Sequence, residues 1–177
     1  MRVLVLAPHP FYQDRGTPID VLLVLRVLAE RADYEVDVVV YNEGRDVVLP
    51  RLSIHRTPNL PFLRDIKPGF SLKKVVCDIF LFFKALALMG GRRYDVIHAG
   101  EESVFAAVVL GKIFGVPYAY DLDSSIAQQL VEGNGAFKVF RPALELLERY
   151  AIRNLSLIHI SEPTRLLSIS YAVFCLK

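Results

Sequence analysis

Cysteine is scarce in this chain. Its 177 residues hold two, Cys77 and Cys175, with neither metal-ligand nor disulfide-framework spacing, so redox chemistry is not indicated and a reducing cytoplasm is the simplest home. Charge of one sign is lacking too. Lys and Arg total 21 against 19 Asp and Glu, a net +2, which is too small for a nucleic-acid surface. No basic cluster is interleaved with aromatics, so nucleic acid is not an expected partner. The greasiest run, VVCDIFLFFKALALM at 75–89, is short for a membrane span and carries Asp78 and Lys84. Met1 and Arg2 lead straight into an apolar run without the charged region, hydrophobic stretch and small-residue site of a signal peptide. Internal repeats and low-complexity tracts are also missing.

What the chain does have is apolar residue, 53% of the total, enough for one domain with a proper core. Short apolar runs alternate with longer helical patterns, the signature of parallel strands joined by helical crossovers. RVLVLAP, EVDVVVYN, LSIHRTP, YDVIHAG and PYAYDLD are the expected strands. A first helix is expected from Pro18, with Thr17 as N-cap and proline in the first turn, where its missing N–H costs nothing. A Pro-rich loop over 57–69 precedes a nearly all-round apolar helix over 71–89. Ser103–Phe114 reads as a helix closed by Gly115 and Pro117, and another helix is expected over about 138–154. The fold class is α/β: an open, doubly wound, Rossmann-like parallel sheet whose ligand crevice lies beyond the carboxyl ends of the strands.

The turn after the first strand holds His9, Asp14, Arg15, Gly16 and Thr17. LVLAPHP resembles the start of zinc-dependent sugar N-deacetylases, in which two Asp follow the His-Pro directly. Phe11 and Tyr12 stand there instead, and aromatic carbon cannot ligate zinc, so no metal site is expected and His9 reads as a loop residue closing the strand. A phosphate is the better candidate, although a single glycine is not the G-x-G-x-x-G fingerprint. Gly16 permits close backbone approach, and free N–H groups at the start of a helix favour an anion. The plain alternative is a turn and nothing more.

RVLVLAPHPF, a Gly-containing turn, LRVLAERADYEVDVVVY, YDVIHAGEE and GKIFGVPYAYDLDSS succeed one another in an order that resembles the N-terminal half of retaining nucleotide-sugar glycosyltransferases of family four, which have GT-B architecture. DVIHA, FGVPYAYDLD and LELLERYAIRNL carry most of the likeness, which covers residues 1–154. The resemblance implies one of two Rossmann-like domains facing each other across a cleft, this one mainly holding the acceptor. It implies a nucleotide-sugar as substrate, a glycan, lipid or small molecule as acceptor, and no cofactor or metal. Gly16 and Thr17 would add donors to the leaving diphosphate. Asp123 would serve as the catalytic residue, by accepting a hydroxyl hydrogen bond or assisting proton movement. His98, Glu101 and Asp121 would line the acceptor side of the cleft. Many members have two adjacent glycines in the first turn and a His after the fifth strand, where this chain has Gly16-Thr17 and Asp123.

Each of these residues has a plain alternative. Ser125 with Gln128 makes a capping box, and Asp121 and Asp123 would then serve only the positive end of a helix. Glu101 and Glu102 could simply be solvated before Ser103, and His98 could be a satisfied core histidine. At the level of function, the alternative to a transferase is a non-catalytic nucleotide- or sugar-binding module of the same fold.

The last segment, LSLIHISEPTRLLSISYAVFCLK from Leu155 to Lys177, closely resembles the conceptual translation of a transposase-type sequencing-library adapter, with two constant blocks flanking a short index. The expected organisation is a glycosyltransferase domain over 1–154, interrupted there, and a non-native tail over 155–177. Accordingly His159, Glu162 and Cys175 receive no function, although SLIHIS alternates well enough to pass for a sixth strand. The fragment would lack the donor-binding domain and be inactive alone. Its place is the cytoplasm, with a peripheral contact at the inner face of the membrane as an option. Lys73, Lys74 and Lys84 on the 71–89 helix, with Arg92 and Arg93 after it, could rest on anionic lipid. The alternative is a buried crossover helix whose lysines snorkel.

Overall fold

The computed structural model describes residues 1–14, 16–66, 71–122, 157–160 and 175–176. The strands are β1 (Arg2–Ala7), β2 (Glu35–Val40), β3 (Leu52–Arg56), β4 (Val96–Gly100), β5 (Tyr118–Leu122), β6 (Leu157–Ile160) and β7 (Cys175–Leu176). The helices are α1 (Gly16–Glu30), α2 (Leu72–Gly91) and α3 (Val104–Phe114). The strands form one sheet in the order β3-β2-β1-β4-β5-β6-β7. All neighbours are parallel except β7, which runs antiparallel to β6.

Period-two alternation in near-continuous apolar strands supplies a core on each face of the sheet. Leu4 and Leu6, with Val39, Ile97, Ala99, Tyr118 and Tyr120, face Cys77, Leu81 and Ala85 of α2 and Val104, Ala107 and Leu110 of α3. Val3, Val5 and Ala7, with Val36, Val38 and Val40, face Val21, Leu22 and Leu25 of α1. This is the doubly wound α/β sheet that the alternation of the sequence implies.

Local boundaries differ in instructive places. Helix α1 starts at Gly16, so Thr17 lies inside the helix and does not cap it. The Pro-rich loop contains a short 3-10 turn, Pro61–Leu63, and α2 is capped by Ser71, whose hydroxyl accepts from the Lys74 N–H at 3.2 Å. Helix α3 ends on Gly115 in the left-handed conformation, as its sequence signal implies, but a separate 3-10 turn, Glu101–Ser103, precedes it. Residues 157–160, which belong to the adapter-like tail, pair with β5 in register, Asp121 opposite His159. An alternating apolar segment satisfies an open sheet edge whatever its origin. The helix expected over 138–154, and the Ser125–Gln128 box, lie outside the described residues.

At the amino edge of the sheet Asp37 of β2, 3% exposed, accepts hydrogen bonds from Tyr94 Oη at 2.8 Å and His55 Nε2 at 2.6 Å, with Arg92 Nη1 3.4 Å away. Burial works to raise its pKa, but the His55 and Tyr94 hydrogen bonds and the nearby positive charge outweigh it. Asp37 is held below the ordinary aspartate value.

Candidate functional site at the carboxyl edge

The opposite edge is organised by the turns that leave β1 and β4. After β1, His9 N–H donates to the Ala7 carbonyl at 2.8 Å and the His9 carbonyl accepts from Tyr41 N–H at 3.2 Å. His9 is thus built into the turn, 8% exposed. Phe11 is fully buried beneath α1, which explains why a core aromatic stands where a carboxylate would be needed for zinc. Among the described residues no group of three His, Cys, Asp or Glu stands close enough to hold a metal ion. Gly16 opens α1 with φ +36°, and no atom of the described residues lies within 4 Å of where a Cβ would be. Its backbone therefore adopts a geometry that L side chains resist, and no described side chain covers its outer side.

After β4 the chain turns sharply. Glu101 has φ +46°, and the Ser103 hydroxyl lies 2.7 Å from the Gly100 carbonyl and 3.0 Å from that of Leu6, tying the turn to β1. The turn points both its carboxylates inward. Thr17 Oγ1 donates to Glu101 Oε1 at 2.9 Å, joining α1 to the β4 turn. Lys74 Nζ, from the first turn of α2, is ion-paired to Glu102 Oε1 and lies 3.6 Å from Glu101 Oε2. One turn further along α2, Asp78 Oδ1 accepts from Tyr41 Oη at 2.5 Å.

One ammonium thus faces three carboxylates in a buried setting. Burial works to lower the Lys74 pKa, but Glu102 and Glu101 more than compensate, and it is raised. The carboxylates go the other way. Burial, then repulsion from Glu102, carries Asp78 to about 7, against the pull of Tyr41 and Lys74. Burial also raises Glu102 despite its ion pair, because a single cation cannot compensate three buried anions. Burial and the Asp78 charge push the neighbouring Cys77 thiol to about 11, the opposite of an activated thiolate.

Three of the six residues singled out from sequence therefore meet: Gly16 and Thr17 on α1, and Glu101 on the β4 turn. His98 sits two residues before the end of β4, opposite Val5 and Ala119, on the sheet face that α1 covers. Asp121 is the penultimate residue of β5, opposite Gly100, and is 7% exposed. Asp123 and Arg15 lie outside the described residues. Two expectations are corrected. Glu101 and Glu102 are not solvated ahead of Ser103; their side chains are 13% and 18% exposed and ion-paired. Lys74 neither faces lipid nor snorkels; it is 7% exposed, the internal counter-ion of that pair. Lys74, Asp78 and Tyr41 carry no sequence signal for this site. A lysine and an aspartate four apart on a helix look like an exposed pair, and only packing turns them inward.

No protein-family profile matches the chain, and no curated protein does. Solved structures do match. Sucrose-phosphate synthase from Thermosynechococcus elongatus superposes with a TM-score of 0.62 at 14% identity, over 92% of this chain and 42% of that one. A UGT transferase from Siraitia grosvenorii, in complex with UDP, matches with a TM-score of 0.48 at 15% identity, over 73% of this chain and 31% of its own. The chain thus spans less than half the length of either. At such identity the first likeness establishes the fold: this chain has the Rossmann-like α/β sheet also found in that sucrose-phosphate synthase.

Proposed function

We propose that residues 1–154 are the N-terminal, acceptor-side domain of a GT-B glycosyltransferase that moves a sugar from a nucleotide-sugar to an acceptor with retention. The observation that carries the proposal is the junction of Gly16, Thr17 and Glu101 at the carboxyl edge of the sheet, where doubly wound folds bind ligands. In this reading the open backbone at Gly16 and the first N–H groups of α1 stabilise the charge of the departing diphosphate. Glu101, with His98 and Asp121 behind it, orients acceptor hydroxyls. Asp123 carries the polar contact to the reacting sugars. No cofactor or metal is needed.

Residues 155–177 belong to an interruption of the natural gene, and the donor-binding domain follows Asn154 in the uninterrupted one. The 177-residue chain alone then transfers nothing. Recovering the uninterrupted reading frame tests this. A second Rossmann-like domain after Asn154, with release of nucleoside diphosphate from a nucleotide-sugar panel that Gly16→Val reduces at least about tenfold, is the expected result. A natural stop near Asn154, or turnover by the 177-residue chain itself, overturns the proposal. The stop in particular leaves a non-catalytic nucleotide- or sugar-binding module.

The site of action in this reading is the cytoplasm, with peripheral contact to the inner face of the membrane through α2. No helix among the described residues is long and apolar enough to cross a membrane. The outward side of α2 nevertheless carries Leu72, Ile79 and Phe83 at 73%, 51% and 58% exposure, flanked by exposed Lys73 and Lys84. Anionic vesicles should retain the chain, and Lys73→Glu with Lys84→Glu should release it; retention by the double variant rules α2 out.

A further inference from the structure

A second feature of the same edge lies on the other side of the β1 turn. A cleft of about 630 Å³ opens beyond the carboxyl ends of β1 to β3, lined by Gln13, Asn42, Asn59, Arg64 and Asp65, with Glu43 and Gly44 also in its lining. None of these residues was singled out from sequence.

The walls are fixed before any ligand arrives. The Glu43 carboxylate accepts from the N–H groups of Asp65 at 2.7 Å and Ile66 at 3.1 Å, pinning the 64–66 segment. Arg56 Nη1 donates to the carbonyls of Phe11 at 2.7 Å and Glu43 at 3.0 Å, joining the β1 turn to the loop after β2. Gly44 allows that approach: at φ +121°, a Cβ there would lie 2.2 Å from the Phe11 carbonyl oxygen. Lys73 Nζ holds the Arg64 carbonyl at 2.7 Å. Asn42 Nδ2 donates to the Leu63 carbonyl at 3.0 Å, which fixes its amide orientation. Its Oδ1 is buried and has no hydrogen-bond partner among the described residues, while the second N–H of its amide remains available as a donor.

The lining also selects a chemistry. Gln13 and Asn59 offer amides, Arg64 a fork of donors and Asp65 an acceptor, a mixture suited to hydroxyls, which donate and accept at once. Among the described lining residues one guanidinium stands with two carboxylates, Glu43 and Asp65, so the lining carries no excess of positive charge that would single out a phosphate or carboxylate. Among the described residues Ile66 is the only apolar side chain in the lining and is 5% exposed, so these residues offer no face for a nucleobase to stack on.

We propose that this cleft is a subsite for the hydroxyl groups of a neutral sugar, held by Gln13, Asn42, Asn59 and Arg64. It rests on the transferase reading above for its role, as the place where the acceptor is seated, but not for its ligand chemistry.

The test is a titration of the ¹⁵N-labelled 177-residue chain with methyl glucoside, methyl mannoside and maltose, and separately with glucose 6-phosphate and inorganic phosphate. A neutral sugar should shift the side-chain amide resonances of Gln13, Asn42 and Asn59. Asn59→Ala with Arg64→Ala, both at exposed positions, should keep the native spectrum and weaken that binding at least about tenfold. Three results overturn the proposal: no neutral sugar moves those resonances, glucose 6-phosphate binds tighter than the neutral sugars, or the double variant binds unchanged. The two ideas fail separately. A restored full-length enzyme that transfers sugar with an unaltered acceptor KM in the Asn59→Ala/Arg64→Ala variant sinks the subsite alone. Neutral-sugar binding here, with no transfer from any nucleotide-sugar, sinks the transferase reading alone.

Discussion

Replacing Asp78 by asparagine should make the protein more stable at pH 8 and remove most of its loss of stability between pH 5 and pH 8. Asp78 is raised inside the fold from 3.8 to about 7, chiefly by burial and then by Glu102. A carboxyl whose folded value lies above its unfolded one contributes stability that is complete below the unfolded value and lost as pH rises through the folded one. With about 1.4 kcal/mol per pKa unit, the full cost of ionising Asp78 in place is on the order of 4 kcal/mol. Of that, about 2.5 kcal/mol falls between pH 5 and pH 8, since at pH 5 the unfolded aspartate is already mostly ionised. For a chain of this size that is a melting temperature roughly 5–10 °C lower at pH 8 than at pH 5. Asparagine keeps a carbonyl to accept the Tyr41 hydroxyl and carries no charge. Thermal melts followed by circular dichroism at the two pH values read the effect directly. A wild type equally stable at both, or an Asp78→Asn variant that keeps the wild-type slope, refutes the electrostatic account of this cluster.

Lys74→Met removes the cation ion-paired with Glu101 and Glu102. It should cost about 3–5 kcal/mol at pH 8 by urea titration and less at pH 5, where Asp78, raised to about 7, is protonated and adds no third negative charge. Gly44→Ala forces a Cβ to 2.2 Å from the Phe11 carbonyl oxygen; a loss of at least about 3 kcal/mol, or no soluble folded protein, is expected. At the amino edge, Asp37 is held below its ordinary value against the effect of burial. Its contribution is present above the unfolded value and lost as pH falls through the folded one. Acid titrations below about pH 4 should therefore show a steeper loss in the wild type than in Asp37→Asn, which starts less stable because His55 and Tyr94 lose their charged acceptor.

The strands were legible because each of β1, β2, β4 and β5 is buried on both faces and so reads as an apolar run. Gly115 was legible for a local reason as well, since a left-handed residue closing a helix leaves a glycine behind. Gly16, Thr17 and Glu101 could be placed at one edge by the rule that ligands sit beyond the strand ends, before any contact between them was known. Other features depend on tertiary register. Whether Lys74 reaches lipid or Glu102 depends on how α2 is rotated against the β4 turn, and a helix that is apolar nearly all round gives little rotational signal. The sugar-sized cleft was invisible for a similar reason. Gln13, Asn42, Asn59 and Arg64 come from three separate loops, brought together by Arg56 and Glu43 hydrogen bonds to backbone that no sequence spacing records.

The two charged networks occupy opposite edges of one sheet and titrate with opposite sign. Asp37 supports the amino edge at every pH above the acid range, while ionisation of Asp78 makes the carboxyl edge costlier as pH approaches 7. Near neutrality the electrostatic cost therefore concentrates at the carboxyl edge, where doubly wound sheets do their chemistry, and perturbed groups gather at sites more often than in scaffolds. A core chosen for stability alone would replace three buried carboxylates and an ammonium with apolar side chains of similar volume. The carboxyl edge instead gathers them beside Thr17 and the Gly16 backbone. An anion seated at α1 would add negative charge next to Glu101 and so favour the protonated form of Asp78, whose value inside the fold is about 7.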